Sequence, residues 1–490
     1  MLFCHNQLPT CNPLLVHDLC ARTPQACLLE SHLDGCDSNR IRFQGEGIFV
    51  FTVTSMLDCG QIVRTLPGYA GSLPFKLETG YVSVGDSELF YLFVESQGNP
   101  EVDPVLFYVV GGPGCSALNG FFFQTGPLQF TQTDYTGGLP SLHLYPYTWT
   151  KTASVIFVDS PVGSGYSYAS TAAGFVLSDS KFANQTYNFM RSWLNEHPQY
   201  IPNRVVLATD SYSSIIAPIV VQKLLEDNRA GVEPSISILG YISGSPHSDL
   251  ELEDNDKIPQ AHQLGLISKA IYESAKHYCN GSYVDKGTTT ISADCEEYLE
   301  ITDNLLEQIN TEMVLAPKCA TIKPKSDNDR RKRRFLKENS KHYRLPPGAN
   351  DYWCKNFAYL LLTIWANDKA VQSALHVRET SYDIDIGNNF DYHKNLTKTG
   401  IQVLLYGPDH DLVVPHISTE YWLTILDITL DEDWRPWYVS GQVAGYTMKY
   451  SNYGYRLTYA TLKGAGHSPT EWKGRECYEM FERWIHFYPL

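Results

Sequence analysis

Apolar residues follow two spacings from about residue 62 onward. Apolar, strand-like segments occur in "PVLFYVV" (104–110), which is continuous, and in "SVIFVDSP" (154–161), "RVVLATD" (204–210), "SISILGYISGSP" (235–246), "IQVLLYGPD" (401–409) and "YRLTYATLKGAGH" (455–467). Most run into Gly, Pro or Asp and predict buried strands entering turns. Helical spacing in "QTYNFMRSWLNEH" (185–197), "SSIIAPIVVQKLLEDN" (213–228) and "GRECYEMFERWIHF" (474–487) predicts helices with one apolar face. Strands alternating with helices predict an α/β fold built on a doubly wound, mostly parallel sheet over residues 61–490. Between 246 and 365 the pattern changes to helices, cysteines and a basic loop, which predicts a helical insertion capping the C-terminal edge of the sheet.

No apolar run reaches the length of a spanning helix. "IFVFTVTSML" (Ile48 to Leu57), behind Arg40 and Arg42, has the make-up of a secretory signal core that starts late. Cleavage after it would start the mature chain near Gln61. The first 45 residues hold Cys4, Cys11, Cys20, Cys27 and Cys36 without apolar periodicity. Residues 1–60 are therefore read as an upstream extension and signal segment outside the fold. A small cysteine-rich module is the rival reading, with little apolar content to support it.

A chain of 490 residues with 43% hydrophobic and 19% charged residues is globular in composition. Its net charge of −16 argues against a nucleic-acid partner. The basic run "RRKRR" (Arg330 to Arg334) reads first as a solvated loop; a nuclear address and a dibasic processing site are the alternatives. Sequons at Asn184, Asn280 and Asn395 fit an exported glycoprotein, vacuolar or extracellular. Beyond the signal segment, or within its last residues, lie Cys59, Cys115, Cys279, Cys295, Cys319, Cys354 and Cys477. No CxxC pair occurs among them, so disulfides and a free thiol are expected rather than a metal.

Functional groups of open α/β sheets sit past the carboxyl ends of strands. Three candidates meet that condition in chain order: Ser211 after "RVVLATD", Asp411 after "IQVLLYG", and His467 after "YATLKGAG". Ser, Asp, His is the chain order of the α/β-hydrolases. A serine hydroxyl needs an imidazole to take its proton, and a carboxylate must hold that imidazole in the right tautomer. Asp409 competes with Asp411; Asp411 is favoured because it lies further past the strand end. Backbone N–H groups of Tyr212 and of Gly112 in "GGPG" are the candidate oxyanion donors.

Together these segments resemble the plant serine carboxypeptidase-like family. The blocks "GGPGCSALNGFFFQTGPLQF" (111–130), "VDSPVGSGYSYA" (158–169), "DSYSSIIAPIVV" (210–221), "KIPQAHQLGLIS" (257–268), "IWANDKAVQSALHVRE" (364–379), "DHDLVVP" (409–415) and "GAGHSPTEW" (464–472) carry the likeness. The resemblance implies the α/β-hydrolase fold, a triad of Ser211, Asp411 and His467, and no cofactor. It also implies a Cys115–Cys354 disulfide, a local bridge among Cys279, Cys295 and Cys319 with Cys279–Cys295 the chosen pair, and a buried free thiol at Cys477. Excision of a linker over 325–341 would convert a monomer into a two-chain form.

The family holds both carboxypeptidases and acyltransferases that use glucose esters. In the peptidases an Asn before the "GG" and a Glu before the nucleophile recognise the terminal carboxylate. Here Val110 and Asp210 stand there, beside Gly111. That favours a small-molecule acyl-glucose donor and an alcohol or amine acceptor. A carboxypeptidase is the alternative. A third reading is a weakly active or binding member, since Thr209, Ser214, Ser245 and Pro408 stand in place of residues usual in the family. A Cβ at Thr209 is expected to crowd the nucleophile turn.

Overall fold

All six apolar runs become neighbouring parallel strands at the centre of one large sheet. The computed structural model describes residues 60–132, 137–284, 291–318, 355–366 and 381–490. In chain order the strands are β1 (Gln61–Val63), β2 (Leu77–Val84), β3 (Ser87–Val94), β4 (Val105–Val109), β5 (Ser154–Val158) and β6 (Val205–Asp210). They continue with β7 (Ile238–Gly244), β8 (Gln402–Pro408), β9 (Thr429–Val439), β10 (Gln442–Asn452) and β11 (Tyr455–Leu462). Their spatial order is β1-β2-β3-β5-β4-β6-β7-β8-β11-β10-β9, with Tyr168–Ala169 beside β3. From β5 to β11 in that order neighbours run parallel; the outer pairs are antiparallel.

The helices are α1 (Asp179–Glu196), α2 (Ala217–Ala230), α3 (Leu250–Gln263), α4 (Lys269–Tyr278) and α5 (Ala293–Leu306). They are followed by α6 (Lys355–Ala366), α7 (Phe390–Leu396), α8 (His416–Ile425) and α9 (Gly474–Ile485). Parallel neighbours need crossovers, and α1 and α2 supply them on either side of β6. Side chains of the central strands alternate between two cores, as a period of two requires. Leu106, Val206 and Leu404 pack with Met480 and Phe481 of α9; Val105, Val205 and Val403 pack with Trp193 of α1 and Val221 of α2.

Two local boundaries differ from the apolar spacing. The helix expected over 213–228 is a 3-10 turn, Ser211–Ile215, followed by α2, which carries Pro218 in its first turn. Proline has no N–H to give a helix interior, so its place at the start is the tolerated one. Helix α1 begins at Asp179, well before its apolar spacing, because the Ser178 side chain accepts the Lys181 N–H at 3.3 Å. Strands β9 and β10 have no counterpart in the sequence reading: "TLDEDWRPWYV" lies at the sheet edge and is exposed over most of its length.

Within 246–365, helices α3 and α4 bury Ile258, Ala261 and Ala275 with Ile267 against Leu412, in the loop after β8. Cys279 and Cys295 form a disulfide between the end of α4 and the first turn of α5. Cys477 is a buried free thiol in α9. Cys115 is disulfide-bonded, while its expected partner Cys354 lies outside the described residues. So do Cys59, Cys319, the signal segment, the basic run and the 325–341 linker. No helix among the described residues is long and apolar enough to cross a membrane.

Candidate active site

Strand β6 ends at Asp210, and the chain turns through Ser211 at φ 60° into the 3-10 turn. A non-glycine residue there is strained unless its neighbours hold it. The Ser213 hydroxyl does so, donating to the Val109 carbonyl at 2.7 Å and accepting the Asp210 N–H at 3.0 Å. Thr209 does not crowd this turn. Its hydroxyl lies 2.8 Å from Ser243 Oγ and 3.4 Å from Ser214 Oγ and donates to the Ile242 carbonyl at 3.1 Å. Three hydroxyl side chains thus fill the space that small residues would otherwise leave.

His467 Nε2 lies 2.8 Å from Ser211 Oγ, and His467 Nδ1 lies 2.8 Å from Asp411 Oδ2. Asp411 is fully buried and its other oxygen accepts the Val413 N–H at 2.7 Å. Asp409 faces elsewhere: it accepts the Gly464 N–H at 2.7 Å and meets His410 Nδ1 at 2.5 Å. The carboxylate that reaches His467 is therefore Asp411. Burial disfavours the charged imidazole, yet Asp411, with smaller pulls from Asp210 and Glu312, outweighs burial and holds the His467 pKa above the usual imidazole range.

Asp210 is 1% exposed. Its Oδ2 accepts from Gln124 Nε2 at 2.9 Å and from the Ser468 hydroxyl at 2.7 Å. Burial pushes its pKa up to about 6 against the pull of His467 and of these donors. Gln124 and Ser468 were not singled out from the sequence; Ser468 had one available signal, its position beside His467. Val110 is buried in the apolar core on the same face of the sheet as Tyr108.

The "GGPG" loop lies directly against the Ser211 turn. A Cβ on Gly111 would stand 2.5 Å from the Asp210 carbonyl oxygen and 2.7 Å from the Tyr212 nitrogen, so only glycine permits this approach. Gly112 has φ +121°, a conformation natural to glycine. Buried Asp159 anchors the loop's far end, accepting from Ser116 Oγ at 2.9 Å and the Ala117 N–H at 2.6 Å. Asn184, Asn280 and Asn395 are all exposed. Among the described residues no group of three or more His, Cys, Asp or Glu side chains is placed to hold a metal ion.

Residues 67–487 match the family model described as serine carboxypeptidase. Serine carboxypeptidase-like 19 of Arabidopsis thaliana is 39% identical over 464 residues, covering 90% of this chain and 97% of that protein. Serine carboxypeptidase-like 12 of the same plant is 38% identical over 457 residues, covering 89% and 97%. Among solved structures, a prohormone-processing carboxypeptidase of Saccharomyces cerevisiae superposes with a TM-score of 0.61 at 15% identity, over 84% of this chain and 91% of that one. That likeness is one of fold.

Proposed function

This chain belongs to the serine carboxypeptidase family, and on that premise we propose that it is an acyltransferase. It moves an acyl group from a 1-O-acyl-glucose ester to an alcohol or amine. Ser211 Oγ attacks the ester carbonyl while His467 Nε2 takes its proton. The tetrahedral oxyanion is met by the Tyr212 and Gly112 N–H groups. Glucose leaves with the proton returned by His467, and Ser211 carries the acyl group. His467 then deprotonates the acceptor, which attacks the acyl-enzyme; the proton passes back to Ser211 Oγ as the C–O bond breaks. Asp411 fixes the imidazole through Nδ1.

One observation carries the choice of transferase over peptidase. Family resemblance assigns carboxylate recognition to the positions of Val110 and Asp210. Val110 offers no polar side-chain atom and lies in an apolar core. Asp210 has its Oδ2 already committed to Gln124 and Ser468, and when ionised it repels a carboxylate. Loss of a buried hydrogen-bond partner costs roughly 1–3 kcal/mol, about one to two decades in binding. Exposed sequons at Asn184, Asn280 and Asn395 support an exported setting, vacuolar or extracellular.

Incubation with a 1-O-acyl-glucose and a panel of alcohols and amines, beside an N-blocked dipeptide, tests the reading by mass spectrometry. Transfer product is expected, with none from Ser211→Ala. Faster release of the dipeptide's C-terminal residue would overturn the transferase assignment. Failure of a fluorophosphonate to label Ser211 would overturn the acyl-enzyme itself.

A further inference from the structure

The nucleophile turn rests on a buried polar assembly that the acyl-transfer steps do not use. His247 follows β7, and its ring lies flat on the Tyr212 ring, centroids 4.9 Å apart and planes 14° from parallel. The His247 backbone N–H donates to the Ser211 carbonyl at 3.3 Å. On its other side His247 Nδ1 meets the Glu253 carboxylate of α3. Glu253 Oε1 accepts the Ser248 N–H at 2.7 Å and the Asp249 N–H at 3.1 Å. The Tyr212 hydroxyl donates to Asp179 Oδ1 at 2.8 Å. Asp179 Oδ2 in turn accepts the N–H groups of Asp385 at 2.9 Å and Ile386 at 3.0 Å. Tyr212 is thus held on one ring face by His247 and at its tip by Asp179.

The Tyr212 N–H sits in the first turn of a short helix, where no intrahelical acceptor fixes its direction. Its orientation must come from elsewhere: the Ser211 carbonyl of the same planar peptide accepts the His247 N–H, and the clamped Tyr212 ring holds the other end of that residue. A stacked ring alone sets a distance; the Nδ1 contact with Glu253 also sets the ring's rotation. Stability does not account for this choice, because burying a His–Glu pair carries a desolvation cost that a stacked phenylalanine avoids. His247 and Glu253 are buried, 4% and 3% exposed, and their side chains bond to each other and to the Ser248 and Asp249 backbone. We propose that His247, braced by Glu253, is a positioning residue for acyl transfer, fixing the plane of Tyr212 and with it the aim of the Tyr212 N–H at the oxyanion. The proposal rests on the acyl-enzyme reading above.

The full chain is compared with His247→Phe, His247→Ala and Glu253→Gln. Phenylalanine keeps the stack and the backbone bond but loses Nδ1. Glutamine keeps an acceptor for Ser248 and Asp249 but gives up the oxygen facing Nδ1. Ester turnover and hydrogen exchange over 207–216 are both measured. In the Phe and Gln variants kcat should fall on the order of tenfold with KM nearly unchanged, less than the hundredfold or more that losing an oxyanion donor costs. Exchange over the turn should quicken, and the Ala variant should lose more in both readouts. Unchanged kcat in the Phe and Gln variants, or a rise in KM alone, overturns the proposal. Should the Ala variant fail to fold, the other two decide it. Should wild-type Ser211 fail to label with a fluorophosphonate, the acyl-enzyme reading falls. Exchange over the turn then decides whether His247 positions it: faster exchange supports the claim, unchanged exchange overturns it.

Discussion

The Ser468 hydroxyl donates to the Asp210 carboxylate at 2.7 Å, so the residue before Ser211 is fastened to the residue after His467. Ser211 and His467 arrive on different strands, and this bond links their segments a second time beside the Ser211–His467 contact. Ser468 adopts φ 55°, a conformation that favours glycine. Ser468→Gly removes the hydroxyl and relieves the backbone together. Turnover of an acyl ester should drop roughly fivefold, the kinetic equivalent of about 1 kcal/mol for one hydrogen bond. The melting temperature should hold or rise slightly. Undiminished turnover would show that the link is idle.

Asp210 makes a prediction about stability. Burial holds its pKa at about 6, above the ordinary value of 3.8. The folded chain therefore binds this proton more tightly than the unfolded chain, and stability falls as pH rises between those values. Asp210→Asn removes the buried charge and keeps an oxygen for Gln124 and Ser468. The variant should be more stable than wild type near neutral pH, by at most about 3 kcal/mol, with the gain closing toward pH ~4. Melting curves at the two pH values decide it. Turnover should fall in the same variant, because Asp210 helps favour the His467 imidazolium.

The parallel centre of the sheet was legible because most of its strands are buried on both faces and read as apolar runs, β4 and β5 without a break. Strand β3 carries such a run too, "LFYLFV" (89–94), which was not singled out, whereas β1, β2, β9 and β10 hold partly exposed residues and carry none. At the site, Ser211, Asp411 and His467 announce themselves by following strand ends, and the structure brings the three together. His247 obeys the same rule, three residues past the end of β7, and was not singled out; Gln124 and Glu253 do not. Gln124 ends the helical turn Gly120–Gln124 and Glu253 lies in α3, and only the packing places them beside the Ser211 turn. The choice between Asp409 and Asp411 likewise depends on which side of the loop faces His467.

Asp411 governs pH dependence. Burial alone would lower the His467 pKa, and Asp411 is the main influence that raises it. The base must be neutral to accept the Ser211 proton, so activity should rise with pH through a limb above the ordinary imidazole range. In Asp411→Asn that pull is lost, and the limb should move to lower pH. The rate itself should fall on the order of 10³–10⁴-fold, as the wrong tautomer faces Ser211. A kcat/KM profile against pH reads both effects. An unmoved limb would mean that another group titrates there.

Thr209 stands where a family glycine is usual, and restoring glycine should harm the protein. The Thr209 side chain is 1% exposed, with its hydroxyl bonded to Ile242 and near Ser243 and Ser214. Its removal leaves the Ser243 and Ser214 hydroxyls short of a buried neighbour, opens a small void and loosens the backbone of β6 just before Ser211. A lost buried hydrogen bond and a glycine in a strand each cost around 1 kcal/mol, so Thr209→Gly should destabilise by roughly 1–3 kcal/mol. Thr209→Ser, which keeps the hydroxyl, should lose less than half of that. Urea denaturation of the three proteins measures the difference. If Thr209→Gly were as stable as wild type and turned over faster, the hydroxyl cluster would be a burden on the turn rather than its support.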